Sequence, residues 1–213
     1  PDALNYHLKA LKIKEDLEDK NGVAVTYNNI GLLYNEQENY VDALKNFKEA
    51  LKFFQQTNDK SNLAMVYNNS GLAQKRSGNY SEALASYNQA LVYNKETSNK
   101  SWMGVNNINI GNIYRYKADS ALNKNDTAAA KQFYKEALSA TNEALQLTES
   151  SGNKTDYCEA LNNLGLINCS LKNYDDAQKN MEQSLQIAET IGQKATIRDA
   201  HNALKRLDSL KAS

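Results

Sequence analysis

The sequence has a single proline, Pro1, in 213 residues, so the strongest breaker of helices is missing from all that follows it. Cysteine and histidine are almost as scarce. Cys158 and Cys169 stand in a stretch compatible with one helix, which separates them by about 16 Å at ~1.5 Å rise per residue and puts a disulfide out of reach. They read as small packing residues, and free thiols fit a reducing compartment such as the cytoplasm. His7 and His201 lie near opposite ends, so no His/Cys metal site is expected. Charge of one sign is lacking too. Lys plus Arg and Asp plus Glu are both 25, which argues against a nucleic-acid binder that works by phosphate neutralisation. No apolar run approaches the ~18 residues of a membrane-spanning helix, and no leader pattern opens the chain. A Gly-rich phosphate loop, a nucleophile elbow and paired His ligands are all absent. The expectation is a non-catalytic chain with no cofactor, no metal, no nucleic-acid partner and no direct membrane insertion.

What is present is a repeat. T-Y-N-N-I-G (26–31), V-Y-N-N-S-G (66–71), I-N-I-G (108–111) and L-N-N-L-G (161–165) share an asparagine two residues before a glycine. Self-similarity at a fixed spacing of a few tens of residues signals a repeat architecture. From Gly31 the pattern continues through Ala43, Phe47 and Ala50; from Gly71 through Ala83, Tyr87 and Ala90; from Gly165 through Ala177, Met181 and Ser184. Lys20, Lys60, Lys100, Lys154 and Lys194 mark the start of successive units. The boundaries this implies are 21–60, 61–100, 101–153 and 154–193. Residues 1–20 read as the second half of an earlier unit and 194–213 as the first helix of a further one, all within a single array 1–213.

Each unit reads as two helices. The first carries apolar residues at helical spacing, as in Y-x-x-I-G-x-x-Y, and the second carries A-L-x-x-[FY]-x-x-A-L. Asn39, Asn79 and Asn173 are candidate N-caps for the second helices. Gly78 suits a left-handed position after the first helix, and Gly152 and Gly192 close two of the second helices. The third unit is longer by 14 residues, about four helical turns. Residues 115–124 remain helix-compatible, and N-D-T (125–127) offers a cap, so a protruding hairpin tip is expected near 123–127. The fold class is therefore all-α, a right-handed superhelical solenoid of antiparallel helix pairs with about ten helices.

At about 100° per residue, Tyr27, Ile30, Gly31 and Tyr34 face one side of the first helix, and Val25, Asn29 and Leu32 face the other. Later units place Met65, Asn69, Leu72 and Arg76, then Asn109, Asn112 and Tyr116, then Asn163 on that second side. In stacked repeats this side lines the inner surface. Asn disfavours a helix interior by about half a kcal/mol relative to Ala. An amide that both donates and accepts can bond the backbone of an extended peptide whatever its sequence. The alternative is that these amides bond neighbouring helices. Most of the 13 tyrosines fall at repeat positions and read as core; Tyr116 and Trp102 are the exceptions and candidate peptide anchors.

The pattern resembles the tetratricopeptide repeat family, whose signature is W-x-x-L-G-x-x-Y followed by A-x-x-x-F and A. The period of 40 and the missing unit-ending proline resemble the long-repeat arrays of kinesin light chains and of bacterial sensor and regulator proteins. The resemblance implies a protein–protein interaction scaffold. A protein or peptide segment would lie in a concave groove lined by Asn29, Asn69, Asn109, Asn163, Val25, Met65, Leu72, Arg76, Asn112 and Tyr116. The clamp that some members use for a C-terminal carboxylate needs more cation than Arg76 supplies, with Glu36 and Glu159 opposing it. The alternative function is the sensory region of a larger bacterial histidine kinase or transcription regulator, in which case a periplasmic location competes with a cytoplasmic one. The last helix (196–210) has an apolar stripe of Ile197, Ala200, Leu204 and Leu207 and no second helix after it, so self-association through it, with Leu207 and Leu210 in contact, is a further expectation.

Overall fold

The computed structural model describes residues 2–211, which form ten α-helices and no strand. Their contacts divide the chain into two compact units, Pro1–Ser98 and Asn99–Ser213. The first holds α1 (Asp2–Asp16), α2 (Lys20–Glu36), α3 (Tyr40–Thr57), α4 (Lys60–Arg76) and α5 (Tyr80–Glu96). The second holds α6 (Lys100–Asn123), α7 (Thr127–Ser151), α8 (Lys154–Ser170), α9 (Tyr174–Ile191) and α10 (Lys194–Lys211). Within each unit the helices pack on their chain neighbours, the closest pairings being α2 with α3, α4 with α5, α6 with α7 and α8 with α9.

The turns follow one recipe. The residue at the end of a turn caps the next helix, and from α2 to α9 that residue is always Asp or Asn. Asp19, Asn39, Asp59, Asn99, Asp126 and Asn153 each accept a hydrogen bond from the backbone N–H three residues on, one of the four amides a helix start leaves without a partner. Asn79 and Asn173 hold the cap position without that side-chain bond. Gly78, at φ +82, provides the left-handed residue that ends α4's turn. Glu38 takes the same role after α2 at φ 60, a conformation less favourable for a residue with a Cβ.

The four anchor glycines explain why the paired helices come so close. A Cβ at Gly31 would lie 2.5 Å from the Phe47 ring, at Gly71 2.9 Å from the Tyr87 ring, at Gly165 2.7 Å from Met181 and at Gly111 2.5 Å from the Thr141 hydroxyl. Phe47, Tyr87, Thr141 and Met181 are all fully buried. The first helix of each pair thus offers a notch, and the second fills it. Tyr27 stacks on Phe53, Tyr67 on Tyr93 and Tyr114 on Phe133, with ring centroids 5.9–6.3 Å apart, so these half-buried tyrosines extend the same seam. Gln74, where a tyrosine is usual, bonds the Ser86 hydroxyl at 2.7 Å instead.

The α6–α7 hairpin departs from the rest. Helix α6 has 24 residues against 17 in α2, α4 and α8, and α7 has 25 against 18 in α3 and α9. The added length is about two turns on each arm, joined by Lys124, Asn125 and Asp126, with Asn125 at φ 60. A buried polar set ties the extended arms together. Arg115, 6% exposed, pairs with Asp119 at 3.2 Å, and Tyr134 donates to the other Asp119 oxygen at 2.5 Å.

The C-terminal helix packs within its own unit. Leu207 is fully buried against Met181 and Ala177, and Leu210 packs beside it. The apolar stripe of α10 is thus used inside its own unit, and a dimer contact through Leu207 would first have to open that core. Cys158 and Cys169 are both buried free thiols, each raised above the usual thiol range by burial, consistent with inert packing residues.

Candidate functional site

The asparagine stripe falls on the first helix of each pair, and its geometry is set by which helices touch. In the first unit α2 lies against α4. Val25, Asn29 and Leu32 of α2 and Met65, Asn69 and Leu72 of α4 are all half-buried, and Arg76 is exposed. Val25, Leu32 and Met65 rest on the core built around Phe47 and Phe54. This is an apolar strip that still meets solvent, with amides set into it.

Those amides are not equivalent. Asn69 donates from Nδ2 to the Oδ1 of Asn28 at 2.9 Å, a bond from one repeat to the preceding one, and Asn28 is buried. Asn29 makes no hydrogen bond among the described residues, so both its donor and its acceptor are open. The sequence pattern places the four asparagines on one ladder; in the first unit one of the two is committed to the array and the other is not.

In the second unit α6 lies against α8. Asn109 is half-buried and donates back to the Val105 carbonyl at 3.2 Å. Asn112 is half-buried with no hydrogen bond among the described residues. Tyr116 is 41% exposed, and the Arg115 guanidinium sits 4.5 Å from its ring centroid. Asn163 is different: it is 5% exposed, and its Nδ2 is buried without a partner. The register differs from that of the first unit. Asn28, the acceptor for Asn69, stands three residues before Gly31; the residue three before Gly111 is Ile108. Ile108 is buried with Ala144 and Ala160 and can accept nothing. Asn163 does not present its donor to solvent. Trp102, in the first turn of α6, is 42% exposed.

The lysines that mark each unit start are surface charges at helix N-termini. Lys60 pairs with Glu96 at 3.0 Å. No cluster of three or more His, Cys, Asp or Glu placed to hold a metal occurs among the described residues. No helix among them is long and apolar enough to cross a membrane.

Known proteins agree with this architecture. The family model described as tetratricopeptide repeat matches residues 1–56, 22–92 and 118–190. The chain belongs to the tetratricopeptide repeat family. Repeats of this kind are protein-interaction modules that bind protein partners. Among solved structures, the chain is similar to a Signal Transduction ATPase with Numerous Domains protein carrying a tetratricopeptide repeat sensor, from Pyrococcus horikoshii, at 21% identity and a TM-score of 0.72. That likeness covers 91% of this chain and 28% of the other, so the chain spans well under a third of that protein's length. It is also similar to BtubC from P. vanneervenii at 15% identity and a TM-score of 0.67, covering 98% of this chain and 89% of the other. The likeness to MamA is at 15% identity and a TM-score of 0.54, covering 89% of each chain. No curated protein sequence matches the chain.

Proposed function

We propose that this tetratricopeptide repeat chain is a non-catalytic scaffold that binds an extended protein segment along the first helices of its repeats. The observation that carries the reading is the state of Asn29 and Asn112. Each is a half-buried amide with no bond inside the protein, Asn29 in the first unit beside half-buried Val25, Leu32, Met65 and Leu72, and Asn112 on α6 of the second. A peptide laid on this strip buries apolar side chains and finds open amides for its backbone, which binds it without dictating its sequence. Arg76 adds a cation in the first unit, and Tyr116 adds an aromatic in the second. Asn69 contributes its remaining acceptor capacity, and Asn163 supports the strip by packing.

Affinity selection from a random peptide library tests the reading, followed by titration of an enriched peptide against Asn29→Ala and Asn112→Ala. A lost hydrogen bond of about 1 kcal/mol weakens binding roughly fivefold. Binding that is unchanged in both variants would remove the mechanism.

A second reading is supported by the likeness to the Pyrococcus horikoshii sensor region. In it the same strip is the input of a signalling protein, and occupancy is relayed to an output domain. It is tested by placing the array in its natural full-length protein and asking whether a strip-binding peptide changes that protein's activity. An output indifferent to saturating peptide would exclude it.

A further inference from the structure

Because α7 begins about two turns early, its first turns meet the end of α8 as a step. Leu171, which caps α8, packs against the hairpin cluster of Ala118, Ala130, Tyr134 and Ala137. Beside it opens a cavity of about 510 Å³. Its floor is apolar, made by Ala128, Leu138, Leu171 and the Tyr134 ring. Its rim carries Lys131 and Lys135.

Two features make this more than a dent. The floor is held in place, because Tyr134 is 4% exposed and its hydroxyl is fixed to Asp119, itself paired with Arg115. The rim charge is also unspent. No ion pair among the described residues involves Lys131, Lys135 or the exposed Lys172 that follows Leu171. Glu136, next to Lys135 in sequence, accepts from Gln132 at 2.6 Å.

We infer that this step is a docking site for an acidic segment of a partner protein that carries apolar side chains. An aliphatic side chain fills the floor, and flanking carboxylates pair with Lys131 and Lys135. Partly desolvated pairs at such a rim set specificity and on-rate, and salt screens them. The site is separate from the asparagine strip, so either can fail without the other.

The probe is a labelled synthetic peptide of about a dozen residues, rich in Glu with three leucines, titrated against the intact chain by fluorescence anisotropy. Lys131→Glu with Lys135→Glu is expected to weaken binding at least tenfold, as is Leu138→Gln, with helicity and melting unchanged for the exposed lysine pair. Asn29→Ala is expected to leave this binding as it is. Equal binding by a leucine-free Glu peptide would overturn the inference by showing unspecific charge attraction. So would binding indifferent to the lysine reversal, or sedimentation showing that the chain's own copies occupy the step in the absence of peptide.

Discussion

In the first unit Asn69 reaches one repeat back and finds the Asn28 carbonyl oxygen at 2.9 Å; in the second, Asn163 holds the same register and its Nδ2 finds nothing. The seam between paired helices shows a parallel contrast. Phe47 and Tyr87 fill the notches at Gly31 and Gly71 with whole rings, whereas the notch at Gly111 receives Thr141, whose buried hydroxyl has no partner. The lesson is that repeats share a backbone and not a chemistry. A side chain's role depends on the residue that faces it from another helix, and one substitution there turns a hydrogen bond into a buried cost. The first unit is closed by rings and a satisfied amide pair. The second carries more orphaned polar atoms and a charged set, Arg115–Asp119–Tyr134, at the root of its long hairpin.

The largest effect should come from emptying the seam. Phe47→Ala is expected to destabilise the α2–α3 region by about 3–5 kcal/mol, while Thr141→Ala at the matching position changes the α6–α7 region by less than about 1 kcal/mol. Amide hydrogen exchange resolved by peptide reports each region separately. Comparable losses in the two would break the contrast.

Next comes the polar root of the hairpin. Burial first, and then the bond to Asp119, push the Tyr134 phenol up to about 12 from an ordinary value of about 10. The fold holds the protonated phenol, so its contribution is complete below about pH 10 and is lost as pH rises towards 12. Tyr134→Phe should cost about 1.5–3 kcal/mol at neutral pH, the range for a bond to a charged group. It should also remove the last-ionising phenol from a titration followed by ultraviolet absorbance. An unaltered upper limb in that titration would show that the Asp119 bond does not hold the proton.

The smallest effect has opposite signs in the two units. Asn69→Ala is expected to cost about 1 kcal/mol by breaking its bond to Asn28, whereas Asn163→Leu is expected to stabilise by about 1 kcal/mol by removing an unpaired buried donor. Urea unfolding of the two variants beside the parent checks the signs. Losses of equal size in both would mean that Asn163 has a partner after all.

Much of the fold is legible in the residues. Alanines and aromatics at helical spacing, a glycine opposite each of them and one internal break per turn leave a chain without interior proline few alternatives to paired helices. The caps were only partly legible. Asn39, Asn79 and Asn173 stand out because a tyrosine follows each, but Asp19, Asp59, Asn99 and Asn153 precede the marker lysines and cap just as regularly. The recurring Asp/Asn–Lys pair was the signal that could have found them. The site was less legible still. Angular periodicity places Asn29, Asn69, Asn109 and Asn163 on one stripe, yet it cannot show that Asn28 supplies an acceptor and Ile108 does not. The stripe of α10 was likewise visible, while its burial against Met181 was not.

By itself, then, the sequence determined the helices, their pairing and the notches that let them approach, because these depend on spacings within some forty residues. The tertiary structure decided which amides stay open, where lysines remain unpaired and which apolar stripe is already covered. Those are properties of contacts between residues far apart in the chain, and a hydrogen-bond donor has no fixed meaning until the group across the interface is known.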